Sequence, residues 1–425
     1  MTRSTKIVAV GVVGLILLGG ASAGACKFAL ACGLNRFGIG TTGPVDAPPI
    51  EGGRATLPDG WADRNVVKGL VLPTDFAFLP DGSVMVTEKD GLVKIASLDG
   101  GLPAPILDLR RRVSTSDIRG LLTVTTDPGF PREPYVYLLY TGAARDDGAA
   151  PTTTYVSRFT WDGERLQPGS ERKLLRIPQQ EAHAGGQIVF LSDGTMLVST
   201  GDAAASDGKE LESLHAQDVN ALPGKILRVT PDGLGVDSNP FWNGDAEANR
   251  SKVWAYGFRN PFRLTLRPGS QVPVVGEVGF VHEDEVDVVR KGANYGWPCF
   301  EGKERGPGAF PESSTCKTLY AKGPAATASP IVMNDRDDGA SITGGAFYDG
   351  VAYPQKYRRA YFYADFSYGW LRYLKIDDEG DLAEGPIDFG TGLPGPVALH
   401  TGPDGRLYYL SLTTGELRRI DESRG

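Results

Sequence analysis

The chain has 425 residues, a net charge of -8 and an ordinary balance of 41% hydrophobic and 23% charged residues. That length suits one large or two medium domains, and the acidic balance disfavours a nucleic-acid partner, which needs a basic field. With 56 glycines and 30 prolines spaced between short β-type runs, it predicts an all-β fold rich in turns.

The chain opens with Arg3 and Lys6, then no charged residue from Ile7 to Ala25, then small residues up to Cys26. Three readings compete: a cleaved signal peptide, a lipoprotein lipidated at Cys26, or an uncleaved membrane anchor. Each sends the bulk of the chain outside the cytoplasm, periplasmic, secreted or membrane-anchored. Residues 1–25 are therefore assigned to export or anchoring. Residues 26–62, with TTGPVDAPPIEGG at their centre, read as a flexible linker. Cys299 and Cys316 lie in one Gly/Pro-rich loop and suit a disulfide in that compartment; two cysteines without a nearby histidine make a poor zinc site. Cys26 and Cys32 either pair with each other or leave Cys26 for lipid.

From residue 63 to 423 a pattern recurs. Asp75 to Leu98 reads as strand, Asp-Gly turn, strand, Asp-Gly turn, strand. Val397 to Ile420 aligns with it almost turn for turn, Pro80-Asp81-Gly82 against Pro403-Asp404-Gly405. The same core appears mid-chain as Ser192-Asp193-Gly194, and further strand runs fall at 135–140, 154–161, 225–229, 253–256, 343–348 and 361–366. Self-similar strand units of this kind predict a β-propeller, here of six blades, closed by pairing of the last strands with the first blade. A propeller places its site on loops at one mouth of the channel.

The stretch HAGGQIVFLSDGTMLVSTGD, His183 to Asp202, is the strongest candidate for that mouth. A strand, a tight turn and a second strand can bring its two ends together. An aspartate that accepts an imidazole N–H fixes the tautomer and leaves the other nitrogen free to take a proton. His183 and Asp202 are thus a candidate base and its orienter. A turn cap and a loop cap are the blander alternatives.

Several motifs occur in fixed order. Gly120-Leu121-Leu122 is followed by Asp127-Pro128-Gly129-Phe130, then by the His183 stretch, LPGKILR (222–228), YGFRNP (256–261) and GANYGWP (292–298). From about Trp61 to Ile420 this set resembles the glucose/sorbosone dehydrogenase family, soluble aldose sugar dehydrogenases that use pyrroloquinoline quinone (PQQ). The resemblance implies a six-bladed propeller, a sugar substrate and an external electron acceptor. It implies that His183 takes the proton of the sugar hydroxyl, that Asp202 orients it, and that Arg259 and Asn260 bind the quinone. It also implies calcium, one ion on the carbonyls of Gly279 and Phe280 and a second on Glu285 and the carbonyl of Tyr295. The chain departs from the family at three quinone-contacting positions. Ile118 stands where a polar residue is expected, Leu393-Pro394-Gly395-Pro396-Val397 carries no arginine, and Asp365-Phe366-Ser367-Tyr368 carries no lysine. Two rivals remain: a non-catalytic propeller that binds a glycan or protein, and, more weakly, a calcium-dependent lactonase, for which no cluster of metal-ligating side chains can be assembled from these motifs.

Overall fold

The computed structural model describes residues 55–116, 118–143, 153–179, 182–204 and 211–422. Residues 1–54, with the export segment, Cys26 and Cys32, lie outside the described residues, so the export, lipidation and anchoring readings do too. Among the described residues no helix is long and apolar enough to cross a membrane.

Six four-stranded antiparallel sheets make up the fold. Blade 1 is Pro73–Phe78, Val84–Glu88, Leu92–Ala96 and Ala104–Asp108. Blade 2 is Leu121–Thr126, Tyr135–Thr141, Thr153–Thr160 and Arg172–Pro178. Blade 3 is Ile188–Phe190, Met196–Thr200, Lys225–Val229 and Val253–Tyr256. Blade 4 is Pro261–Leu266, Pro273–Glu277, Glu283–Val288 and Val332–Asp335. Blade 5 is Ile342–Phe347, Tyr361–Asp365, Leu371–Ile376 and Leu382–Gly390. Blade 6 is Pro396–Thr401, Leu407–Ser411 and Glu416–Glu422, completed by the N-terminal strand Trp61–Val67. The molecule is a six-bladed β-propeller.

The ring closes in the opposite sense to the one expected. The last strands do not join the first blade. Instead Trp61–Val67 pairs with Glu416–Glu422 and finishes the last one. Trp61 packs edge-on against Tyr353, Tyr357 and Phe389, at 4.6, 5.5 and 4.9 Å between ring centroids. Thr56, near the end of the expected linker, also pairs with Thr391.

The core is distributed around the ring. Each junction between neighbouring blades holds its own apolar cluster, such as Met85 and Val93 against Val124 and Leu138, or Tyr348 and Phe362 against Leu399 and Tyr409. Strand residues that alternate in direction serve two junctions at once, which is why most second strands are buried along their whole length. The repeated Asp-Gly turns share one chemistry. Asp81, Asp193 and Asp404 each accept the N–H two residues on, and the glycine between them takes φ of 85, 81 and 71°.

At the axis sits Arg263, fully buried on the first strand of blade 4. Its guanidinium donates to the carbonyls of Thr74, Leu122, Gly186 and Val397, residues of blades 1, 2 and 6 and of the loop entering blade 3. Beside it Asp75 accepts from Thr123, Val124, Gln187 and His400. Burial opposes the Asp75 charge, but Arg263 and the His400 and Thr123 hydrogen bonds win and hold its carboxyl below 3.8. The Gln187 amide bridges the two, accepting from Arg263 and donating to Asp75, so opposite buried charges and their hydrogen bonds tie the blades together at the axis.

Candidate active site at the propeller mouth

In each blade the first strand runs away from one mouth, turns at the far face and returns on the second strand. Residues that precede a first strand or follow a second strand therefore share that mouth. His183 precedes Ile188–Phe190 and Asp202 follows Met196–Thr200; Arg259 and Asn260 precede Pro261–Leu266, and Gly279 and Phe280 follow Pro273–Glu277.

The two ends of the 183–202 hairpin meet. His183 Nδ1 lies 2.7 Å from Asp202 Oδ1, and the two side chains are 1% and 0% exposed. The approach needs Gly201: a Cβ there would stand 2.0 Å from the His183 carbonyl oxygen. His183 itself has φ of 44°, a conformation that costs energy for a residue with a Cβ. Asp202 receives four donors: His183 and the Ala204 N–H on Oδ1, the Ser213 hydroxyl (2.8 Å) and the Trp297 indole N–H (2.7 Å) on Oδ2. That uses all the acceptor capacity of a carboxylate. Burial opposes its charge, but His183, Arg259 and Ser213 hold the carboxyl below 3.8. Burial and the Arg259 charge push His183 below 6.5, with Asp202 working against them. The imidazole is neutral at neutral pH, and its Nε2 is buried with no hydrogen-bond partner among the described residues.

Arg259 and Asn260 are set by Glu277, whose Oε1 accepts both backbone N–H groups at 2.6 and 3.0 Å. The Arg259 guanidinium lies against the rings of Phe280 and Trp297, 5.3 and 5.5 Å from their centroids, and Nη1 donates to the Gly279 carbonyl at 2.5 Å. Asn260 Oδ1 is buried without a partner among the described residues. The structure therefore gathers His183, Asp202, Arg259 and Asn260 at one mouth.

Of the residues expected to hold calcium, Gly279, Glu285 and Tyr295 line one small cavity together with Glu277, Glu301 and Arg259; Phe280 does not line it. Glu277 Oε2 and Glu301 Oε2 are buried there without partners among the described residues. Burial and the neighbouring Glu301 and Glu283 charges push Glu285 up to about 8, and burial with Glu285 nearby pushes Glu277 well above 4.5. The Gly279 carbonyl, by contrast, faces the Arg259 guanidinium, and the Phe280 N–H is spent on Glu301. Among the described residues no three carboxylates or imidazoles stand close enough to form a ready metal cage.

Two of the positions that depart from the family, Ile118 and Val397, belong to an apolar wall. Ile118, Leu122, Phe262, Val397 and Leu412 line a cavity with Thr74 and one cation, Lys89. Cys299 and Cys316 form a disulfide in the insert between the third and fourth strands of blade 4. Ser213 and Trp297 are functional contacts that the sequence reading did not assign. Trp297 sits inside a quoted motif, but its partner is 95 residues away, and Ser213 lies outside every motif quoted.

The glucose/sorbosone dehydrogenase family model matches residues 70–419. The chain is 29% identical to aldose sugar dehydrogenase YliI of Escherichia coli over 360 residues, 82% of this chain and 89% of that protein. It is 27% identical to mouse (Mus musculus) Hedgehog-interacting protein over 225 residues, 48% of this chain and 31% of that one. The PQQ-bound aldose sugar dehydrogenase of Streptomyces coelicolor shares the fold, with a TM-score of 0.68 at 23% identity over 86% of this chain and 99% of that chain. With the family match spanning nearly the whole propeller, this chain belongs to the glucose/sorbosone dehydrogenase family.

Proposed function

We propose that this mouth oxidises an aldose or a related alcohol, with PQQ bound against blades 3 and 4. One observation carries the reading: His183 is anchored by Asp202 at 2.7 Å while its Nε2 is buried, neutral and unpartnered among the described residues. A group so placed can take a hydroxyl proton. Asp202 holds Nδ1–H and stabilises the imidazolium that results. PQQ, when bound, would supply the two-electron acceptor, re-oxidised by an external acceptor. Arg259 would face its oxygens with a charge already freed of water, and Asn260 has a side-chain oxygen waiting for a donor. The apolar wall of Ile118, Leu122 and Val397 would contact the ring system, with Lys89 lining the same cavity. Calcium would require Glu277, Glu285, Glu301 and the Tyr295 backbone to draw together around it; they are a hard-oxygen set with two carboxylate oxygens unpartnered among the described residues. A bridging ion on Gly279 and Phe280 would require Arg259 to release the Gly279 carbonyl. The Cys299–Cys316 disulfide supports an extracytoplasmic location.

The quinone is tested by calorimetric titration of PQQ into the full chain with calcium. Binding on the order of micromolar is expected, weakened at least tenfold in Arg259→Ala. Absence of heat with the unaltered chain would remove PQQ from the account. A second reading, a non-catalytic propeller that binds a glycan or a protein, is favoured by the apolar wall. It offers no use for a buried, oriented base.

A further inference from the structure

Trp297 touches neither the free nitrogen of His183 nor any group that would move a proton. It does touch the carboxylate behind the base. Its indole N–H lies 2.7 Å from Asp202 Oδ2. An indole N–H is a donor only, and so is the Ala204 N–H on Oδ1. Ser213 differs, because a hydroxyl can donate or accept and would tolerate a protonated carboxyl. Trp297 disfavours one on the oxygen it shares with Ser213, because a protonated oxygen is a poorer acceptor. With both oxygens accepting from donors, the four hydrogen bonds favour the ionised form of Asp202. The proton between the carboxylate and His183 then sits on Nδ1, and Nε2 is the free base.

Trp297 is itself rigidly placed. Its backbone N–H donates to the Gly257 carbonyl at 2.9 Å, and its carbonyl accepts from Gln217 Nε2 at 2.7 Å. Its ring is 4% exposed and stands 6.0 Å from Phe310. Phe310 belongs to the small core that Cys299, Cys316 and Leu319 form in the blade 4 insert. The Arg259 guanidinium is 5.5 Å from the same ring.

We propose that Trp297 is the positioning residue of this site: its indole N–H locks Asp202 as a carboxylate and so selects the His183 tautomer with Nε2 free. The proposal rests on the reading of His183 as a base.

The test is downfield proton NMR of the full chain, with the His183 Nδ1–H signal identified by its loss in His183→Gln. The signal should persist in the unaltered chain and in Ser213→Ala from about pH 5.5 to about pH 9. In Trp297→Phe it should vanish or shift with pH. If the chain oxidises a sugar, kcat should fall at least tenfold in Trp297→Phe, with KM within about twofold. Should Trp297→Phe fail to fold, β-(3-benzothienyl)alanine at 297 keeps the ring shape and removes only the N–H. An unchanged His183 signal in the variant without the N–H would overturn the proposal. That result is separate from the dehydrogenase reading, because the signal is read whether or not any sugar reacts.

Discussion

At the scale of single residues, the site depends on which groups have lost water. His183 is buried beside Arg259, and both effects push its pKa below 6.5, with Asp202 in partial opposition. The sign follows directly. A base works deprotonated, so activity should be flat above about pH 6.5 and fall only as pH drops through the lowered pKa. A pH profile of kcat/KM checks this; an inflection above the ordinary histidine range would mean that Asp202 dominates and the base is charged at neutral pH. The pair was legible in the sequence because both residues flank one strand-turn-strand unit, and local geometry alone joins its ends. Trp297, Ser213 and Arg263 were not legible in these roles. Their partners come from other blades, and nothing in a local pattern reports a contact across the ring.

At the scale of elements, the blade 4 insert holds the mouth together. It lies between Glu283–Val288 and Val332–Asp335 and carries Tyr295, Trp297 and Glu301. Its own core is small, so the disulfide contributes much of its order. Closing a loop of 17 residues is worth about 3 kcal/mol in the chain-entropy model. The double variant Cys299→Ser/Cys316→Ser should therefore lower Tm, and should lower kcat as well, because Trp297 loses its brace. Thermal melting and steady-state kinetics on the same preparation check both; a lowered Tm with unchanged kcat would separate the insert from the site. The cysteine pairing was legible from spacing and loop composition. What the loop braces was not, since that depends on where blade 4 stands relative to blade 3.

At the scale of the molecule, repeated turns announce the ring, but not how it closes. The Asp-Gly units recur because each must reverse the chain at the far face of a blade. Trp61–Val67 carries no such signal: it is half-buried, and its partner strand lies at the other end of the chain. The axis was likewise not legible, although an arginine within a run of buried residues, as Arg263 is in Pro261–Leu266, must find acceptors inside the fold. The ring brings the base to one side of the mouth and an apolar surface to the other. The proposed activity is oxidation of sugars at this mouth through His183. Its most direct test is dye-linked oxidation of a panel of aldoses by the full chain supplied with PQQ and calcium, run beside His183→Ala. PQQ-dependent turnover that falls at least about a hundredfold in His183→Ala, with Tm retained, is the predicted result. No turnover of any aldose by PQQ-loaded protein, or equal turnover by His183→Ala, would contradict it.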